Sequence, residues 1–484
     1  MVMKALRLQV AGAGGPRPEW VAAVGVSMIG TFMAILDTFI VVVAMPTIRR
    51  DLDAAPEQLQ WILAGYQLTY AGMLVTGGRL GDRFGRKRTF VTGMALFTVF
   101  SGSCALAPTA EILIVSRLLQ GGAAAIMFPQ VFAMISVLVP QADRAKVLGV
   151  LGGVIGVASI SGQLLGGVLS AADLFGQTWQ SVFWVNVPIG VIAVVLASRF
   201  IPETRANESK HLDLAGTAVL TTALFLVLIP LIHGRQSGWP PTMWASFIVG
   251  VLTMVGFVVI ERRVLANGGD PLLTIQLFRR RPFVVGIGLI FVVYCGVSSF
   301  FLILSLMLQE GLGFTPTMAG VVYAPDGLAF LAASVLAGRL VPRYGSRVPA
   351  LGACLIAVGV TVAMIVSLDQ GGALTARSLI PALLCQGFGG GLLITPLMGV
   401  VLARIDPSEI GMASGVLSTT QQVGAASGVA VVGVIFFGSL RPALGQAASF
   451  AHAFAVANIF IVAVAALAAG LLFAGLLSST TIRG

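Results

Sequence analysis

Long apolar runs separated by short polar segments dominate this sequence from residue 20 onward. About 20 consecutive apolar residues are enough for one helix to cross the hydrocarbon core of a bilayer. The runs therefore predict an all-α polytopic membrane protein with fourteen transmembrane helices, near 20–46, 58–77, 88–108, 111–138, 146–169, 181–201, 213–233, 242–261, 282–309, 317–340, 348–367, 376–401, 411–437 and 452–476.

The composition excludes a soluble protein, because 57% of the 484 residues are hydrophobic and only 10% are charged, which leaves too little polar surface. The net charge of +10 could suggest a nucleic-acid partner, but most of the 29 Lys and Arg fall on one side of the predicted helices. This is the positive-inside asymmetry of membrane proteins. We expect no nucleic acid, a multi-pass protein of the cytoplasmic (inner) membrane and, since the helix count is even, both termini in the cytoplasm.

A basic, glycine-rich turn, GGRLGDRFGRKR at 77–88, joins the second and third predicted helices. Its glycines allow helix ends to approach closely, and Asp82, the lone acid among five bases, can meet a helix N-terminus or an arginine. The bases hold the turn on the side with anionic lipid. We predict that the turn is a conformational switch, carried by Gly78, Arg79, Gly81, Asp82, Arg83, Gly85 and Arg86.

The same pattern returns at 338–347, which aligns without a gap on 78–87 at an offset of 260 residues. Register and flanking helices agree, which indicates two related halves. The offset exceeds what six helices need, so the seventh and eighth helices are predicted to be an insertion. Two halves of this kind place a substrate site at their interface. The predicted domains are a six-helix half over 1–201, two inserted helices with linkers over 202–281 and a second six-helix half over 282–484.

Three charged residues remain inside predicted helices: Asp37, Arg117 and Asp326. A charge in hydrocarbon is costly, so each is a candidate functional residue. At 1.5 Å per residue, Asp37 and Asp326 lie about 14 Å, and Arg117 about 9 Å, from the outer ends of their helices. The three are therefore expected at similar depth.

Asp37 is the candidate proton carrier, with Arg117 as its partner. Burial favours the neutral form of a carboxyl group, whereas a nearby arginine favours the charged form. A carboxyl group whose distance to an arginine changes between conformations can therefore take up and release a proton. The alternatives are an acid buried for packing alone and a purely structural ion pair.

Asp326 follows Pro325 and precedes Gly327, where the helix backbone is expected to loosen. It could bind a cationic substrate or cap the backbone groups that the break frees. Uncharged amides inside helices either join helices by hydrogen bonds or contact substrate. The predicted substrate-binding residues are Asp326, Gln67, Gln120 and Gln386.

Glycines spaced four residues apart along the fifth predicted helix favour close contact with another helix. The glycines assigned to helix packing are Gly153, Gly162 and Gly166.

Several segments resemble the major facilitator superfamily and, within it, the 14-helix drug:proton antiporter family. They are LDTFIVVVAMPTI at 36–48, WILAGYQLTYAGMLVTGGRLGDRFGRKR at 61–88, RLLQGGAAAIMFPQ at 117–130, FWVNVPIGV at 183–191 and ASGVLSTTQQVGAASGVAV at 413–431. The resemblance implies the major facilitator fold, drug efflux in exchange for protons, and a coupling acid and an arginine at the positions of Asp37 and Arg117. Gln163 stands where the resemblance leads us to expect proline.

The leading hypothesis is proton-coupled efflux of hydrophobic, cationic drugs or natural products by alternating access, in a monomer whose partners are a small-molecule substrate, protons and membrane lipid. No metal and no cofactor beyond the proton gradient is expected. The alternatives are an exporter of one endogenous metabolite, antibiotic or lipid, and a receptor without transport. A membrane enzyme is disfavoured because the sequence shows no cluster of His, Cys or paired carboxylates for catalysis at one membrane face.

Overall fold

Fourteen membrane-length helical rods fill the described part of the computed structural model, which comprises residues 20–172, 177–205, 213–234, 237–267, 278, 280–402 and 410–474. The rods are α1 (Trp20–Leu52), α2 (Pro56–Phe84), α3 (Arg86–Ala105), α4 (Ala110–Leu138), α5 (Gln141–Ala171), α6 (Ser181–Phe200), α7 (Leu214–His233), α8 (Pro241–Ala266), α9 (Arg281–Gly311), α10 (Pro316–Tyr344), α11 (Arg347–Gln370), α12 (Ala376–Leu402), α13 (Ile410–Gly438) and α14 (Gln446–Phe473).

The all-α polytopic fold predicted from the sequence is confirmed. Twelve rods in the described part of the chain are long and apolar enough to cross a membrane. The other two are α2 and α3, which are more polar but have 29 and 20 residues, or about 44 and 30 Å at 1.5 Å per residue. The predicted cytoplasmic ends of the chain, 1–19 and 475–484, lie outside the described residues.

Some helix ends differ from the prediction. The first helix was expected to end at Pro46, but α1 continues to Leu52 with this proline inside it. A proline is tolerated inside a transmembrane helix when neighbouring helices satisfy the backbone group that it leaves unpaired. The last turn of α9 is a π-helix, Met307–Gly311. Two rods are interrupted, α6 at Val185 and α10 at Tyr323.

The helices pack as two groups, a first group of α1 to α6 and a second group of α9 to α14. Helices α1 to α6 pack on one another, as do α9 to α14, and the two groups meet along α1 with α9, α2 with α13 and α5 with α10. Helix α7 packs on both α2 and α13, and α8 packs on α7. The predicted domain boundaries fall partly on residues that the structure does not describe, and they stay a prediction.

Successive rods run in opposite directions, which gives the bundle two faces. We call the face with the turn between α2 and α3 the basic face; the end of α6 also lies there, since Arg86 N donates to Thr204 O at 2.9 Å. The opposite face holds the ends of α1 and α9, where Arg49 pairs with Glu310.

The contact between α5 and α10 is close towards the opposite face and absent along the part of α5 nearer the basic face. Where α5 meets α10, a Cβ on Gly167 would lie 2.5 Å from Pro316 O. Earlier in α5, nearer the basic face, a Cβ on Gly152 or Gly153 would meet no atom of the described residues within 4 Å. Helices α2 and α13 stay in contact towards the basic face, where Thr419 Oγ1 donates to Ala71 O at 3.3 Å, so the wider spacing concerns the side of the bundle with α5.

Candidate functional site

Asp37, at the middle of α1, is fully buried and surrounded by hydrogen-bond donors. Its Oδ2 accepts from Arg117 Nη1 at 2.5 Å. Its Oδ1 accepts from Gln120 Nε2 at 3.0 Å and from Asn186 Nδ2 at 2.9 Å. Three donors from α4 and α6 therefore hold one carboxylate of α1, which satisfies a charge that would otherwise be costly at this depth.

The arginine of this network is held as firmly as the acid. Arg117 Nε donates to Ile62 O at 3.1 Å, and Nη1 also donates to Gln120 Oε1 at 2.7 Å. Its guanidinium carbon lies 4.2 Å from the centre of the Tyr66 ring, within the range of a cation–π interaction. The guanidinium group thus stays in place by contacts that do not depend on Asp37.

Asn186 joins the network to α3. Besides Asp37, its Nδ2 contacts Ser101 Oγ at 3.2 Å, and that hydroxyl donates to Phe183 O at 3.0 Å. Asn186 is the first residue of α6 after the interruption at Val185, and it is fully buried. The sequence analysis did not assign it a role, although a polar side chain within the apolar segment FWVNVPIGV was the signal available.

The contacts of Asp37 join three helices at one point. The carboxylate of α1 accepts hydrogen bonds from Arg117 and Gln120 of α4 and from Asn186 of α6, and the bond from the arginine is charge-assisted. A shift of α1 relative to α4 or α6 would break several of these contacts together.

Asp326 lies in the other helix group, so the structure brings Asp37 and Arg117 together but leaves Asp326 apart. It lies in the first turn after the interruption of α10, as the Pro325 and Gly327 pattern predicts. The residue is only 4% exposed, and its Oδ1 has no hydrogen-bond partner among the described residues. A Cβ on Gly387 of α12 would lie 2.1 Å from Asp326 O, so the two helices are in contact here.

The three candidate glutamines have different surroundings. Gln120 is fully buried in the Asp37 network, and its role in substrate binding stays a prediction. Gln386 lines a void of about 20 Å³ between α9, α11, α12 and α14, which has room for about one water molecule rather than a drug. Gln67 is buried in α2, and its Oε1 has no partner in the described part of the chain.

The predicted switch turn is much tighter than the twelve-residue loop expected from the sequence. Helix α2 continues to Phe84, and α3 begins at Arg86. Only Gly85 separates them, with φ of 103°, a backbone conformation that favours glycine. Gly78, Arg79, Gly81, Asp82 and Arg83 therefore belong to the last turns of α2.

Acidic groups and main-chain carbonyls hold this turn. Arg86 Nη2 contacts Asp82 Oδ1 at 3.1 Å across the turn, the arginine contact that the sequence suggested. Lys87 N donates to Glu203 Oε1 at 3.2 Å. The chain leaving α6 is thereby fixed to the start of α3.

The α5 glycines divide into two kinds. A Cβ on Gly162 would lie 2.8 Å from Leu36 O, and a Cβ on Gly166 would lie 2.8 Å from Ile40 O, so α5 packs backbone to backbone on α1, around the position of Asp37. Gly153 makes no such contact within the described residues. Its packing role stays a prediction.

Comparison with known proteins agrees with this architecture. The family model described as Major Facilitator Superfamily matches residues 27–429. The chain belongs to the Major Facilitator Superfamily. The family resemblance read from the sequence is thus confirmed, and membership in the Major Facilitator Superfamily makes the protein a multi-pass membrane transporter of small molecules rather than an enzyme.

Relatives within the superfamily are named for antibiotic transport and resistance. The "Probable actinorhodin transporter" of Streptomyces coelicolor is 39% identical over 432 residues, which cover 88% of this chain and 75% of that protein. The "Puromycin resistance protein pur8" of Streptomyces alboniger is 32% identical over 447 residues, which cover 90% of this chain and 86% of that protein. These names place this member of the superfamily beside its drug and antibiotic exporters.

A solved structure shows the same fold. The partially occluded inward open conformation of the xylose transporter XylE from E. coli matches with a TM-score of 0.65 at 14% sequence identity, covering 95% of this chain and 98% of that one. At this identity the match supports the superfamily fold alone.

Proposed function

We propose that the protein exports hydrophobic, cationic drugs or natural products across the cytoplasmic membrane in exchange for protons that move inward. The two helix groups rock about a central site, so that the substrate is open to one side of the membrane at a time. The basic face with the Gly85 turn is cytoplasmic, as are both termini. The protein works as a monomer surrounded by lipid, with the proton gradient as its energy source and no cofactor.

The observation that carries this proposal is the satisfied but fully buried carboxylate of Asp37. Its donors come from α4 and α6, while α1 itself extends to the contact with α9 of the other group. A proton arriving from the outer side would neutralise Asp37 and release α1 from Arg117. Return of the proton to the cytoplasm would restore the ion pair. One ionisation would in this way change the position of a helix that contacts both groups.

A cationic substrate is supported by Asp326. This acid is buried within α10, and its Oδ1 is left without a hydrogen-bond partner in the described part of the chain. An unpaired buried carboxylate is unfavourable, and a bound organic cation would supply the missing charge. The contact would form when the groups rearrange, since Asp326 is 4% exposed in this conformation.

A second candidate function is export of one natural product made by the same cell. It is favoured by the relative named as a probable actinorhodin transporter, at 39% identity. Such an exporter would use the same proton-driven cycle but recognise one structure rather than a class.

Substitution of Asp326 tests the cation proposal. Two charges about 4 Å apart at an effective dielectric near 20 attract each other by about 4 kcal/mol. We expect Asp326→Asn to weaken efflux of organic cations much more than efflux of neutral compounds of similar size, measured with a dye and antibiotic panel in inside-out vesicles. An equal loss for both classes would assign Asp326 to structure. Transport of a single compound in the panel would favour the second candidate.

A further inference from the structure

An ion pair joins the two helix groups on the face that we propose to be outer. Arg49, in the last turn of α1, pairs through Nη1 with Glu310 Oε2 in the π-helical last turn of α9. The residues are 261 positions apart, close to the 260-residue offset of the internal repeat, so they occupy nearly equivalent places in the two predicted halves. The pair can persist only while the groups are together on this face.

Just below the ion pair, side chains of α9 bind the backbone of α1. Ser305 Oγ donates to Val42 O at 3.0 Å, and Gln309 Nε2 donates to Val43 O at 2.8 Å. Within α1 the N–H that would bond Val42 O is missing, because residue 46 is a proline, and Ser305 supplies a donor in its place. The contact between α1 and α9 is therefore polar and specific over about two turns, rather than a sliding apolar surface.

Two further contacts join the ion pair to α13 and α14 of the second group. The guanidinium carbon of Arg49 lies 6.0 Å from the centre of the Phe437 ring of α13, at the limit of a cation–π interaction. Gln446, the first residue of α14, donates through Nε2 to Glu310 O at 2.7 Å. Arg49 thus contacts α9 and α13 directly, and Glu310 joins the pair to α14.

A cavity of about 690 Å³ opens beside this ion pair, lined by Arg49, Arg50, Asp53, Glu310, Phe314 and Gln446 among others. Water in it reaches the pair, whose side chains are 34% and 16% exposed. Ser305, deeper in the contact between α1 and α9, is fully buried. The boundary between solvent and the closed interface therefore lies at the ion pair.

We infer that Arg49 and Glu310 form the outer gate of the transport cycle: an ion pair that holds the outer face closed and separates before the substrate leaves. This inference rests on the proposed alternating access. A part-exposed ion pair contributes modestly to stability, so it can break in every cycle, whereas a fully buried pair is costly to separate. The cavity supplies the water that solvates both charges as they part.

The test measures exposure of Ser305 rather than transport. In protein whose four native cysteines are replaced by alanine, Ser305→Cys is labelled from the outer side of proteoliposomes with a charged, impermeant thiol reagent, with no substrate and no pH gradient. We expect Arg49→Ala and Glu310→Gln each to raise the labelling rate roughly two- to fivefold, the range for a part-exposed ion pair. The exchange of charges in the double variant Arg49→Glu/Glu310→Arg should return the rate towards that of the starting protein.

Arg50→Ala is the matched control. Arg50 is the next residue along α1, but its side chain is 74% exposed and it pairs with Asp51 of the same helix, so the labelling rate should not change. Unchanged labelling in both single variants, or equal labelling in the single variants and the charge exchange, would overturn the gate. Because the assay needs no transported compound, the two can fail separately: labelling that responds as expected in a protein that exports nothing would show that the ion pair holds this face closed and would reject the proposed function.

Discussion

A carboxylate buried as completely as that of Asp37 is stable only when hydrogen-bond donors replace the water it has lost. Here the donors are one arginine and two amides, and the two amides share Oδ1. The arginine supplies the counter-charge, while Gln120 and Asn186 fix the orientation of the carboxyl plane. The network is therefore one unit, in which loss of a neutral member should weaken the charged pair.

Removal of the Asn186 amide tests whether the neutral members of the network stabilise the Asp37–Arg117 pair. A hydrogen bond to a charged group contributes about 1.5–3 kcal/mol, and we expect Asn186→Ala to lower the free energy of unfolding by about this amount, seen as a lower melting temperature in detergent. Asn458→Ala is the matched control, because Asn458 is equally buried but neither of its amide atoms has a partner among the described residues. That variant should be nearly neutral. An equal loss of stability in both variants would show that the Asp37 contact is not what Asn186 contributes.

The cost of burying charge explains which parts of the site could be predicted from the sequence. Asp37 and Arg117 stand alone in apolar runs, so their burial and pairing could be anticipated. Asn186 is also a polar residue within an apolar segment, but asparagine near the start of a helix is commonly an N-cap residue at the surface. Arg49 and Glu310 lie at helix ends, where charges are ordinary, and only the fold brings these two helix ends together.

At the scale of helices, the length and polarity of the apolar runs were enough to predict the number of helices, whereas the residues at which helices end depend on tertiary contacts. Fourteen rods were predicted because a bilayer fixes the length of a spanning helix. The extension of α1 beyond Pro46 and of α2 to Phe84 could not be predicted, since proline and glycine usually end a helix in isolation. In the folded protein, neighbouring rods support both extensions.

The contact between α1 and α5 gives a prediction about helix packing. In Gly162→Ala the new Cβ would lie 2.8 Å from Leu36 O, so the two backbones must move apart, and overpacking of this kind costs about 1–3 kcal/mol. Gly153→Ala places its Cβ in open space and should stabilise the helix by about 0.5–1 kcal/mol. Thermal unfolding of the two variants in the same detergent measures the difference, and a similar melting temperature for both would contradict the close packing.

At the scale of the whole molecule, α1 is the element that connects the proposed proton site with the movement of the two groups. Its middle is held by α4 and α6 through Asp37, and its end on the opposite face, which we propose to be outer, is held by α9. Neutralisation of Asp37 would loosen the first attachment and allow α1 to leave the second. We therefore propose that ionisation of Asp37 couples the proton gradient to export.

Gradient-driven uptake by inside-out vesicles tests this claim most directly. When the vesicle lumen is acidified, the unmodified protein should accumulate a dye that it binds, whereas Asp37→Asn, which keeps the shape but cannot ionise, should bind the dye yet fail to accumulate it. Because Asp37→Asn leaves Arg117 buried without its counter-charge, the double variant Asp37→Asn/Arg117→Gln should show the same loss in a protein free of that charge. Full accumulation by Asp37→Asn under the imposed gradient would contradict the account.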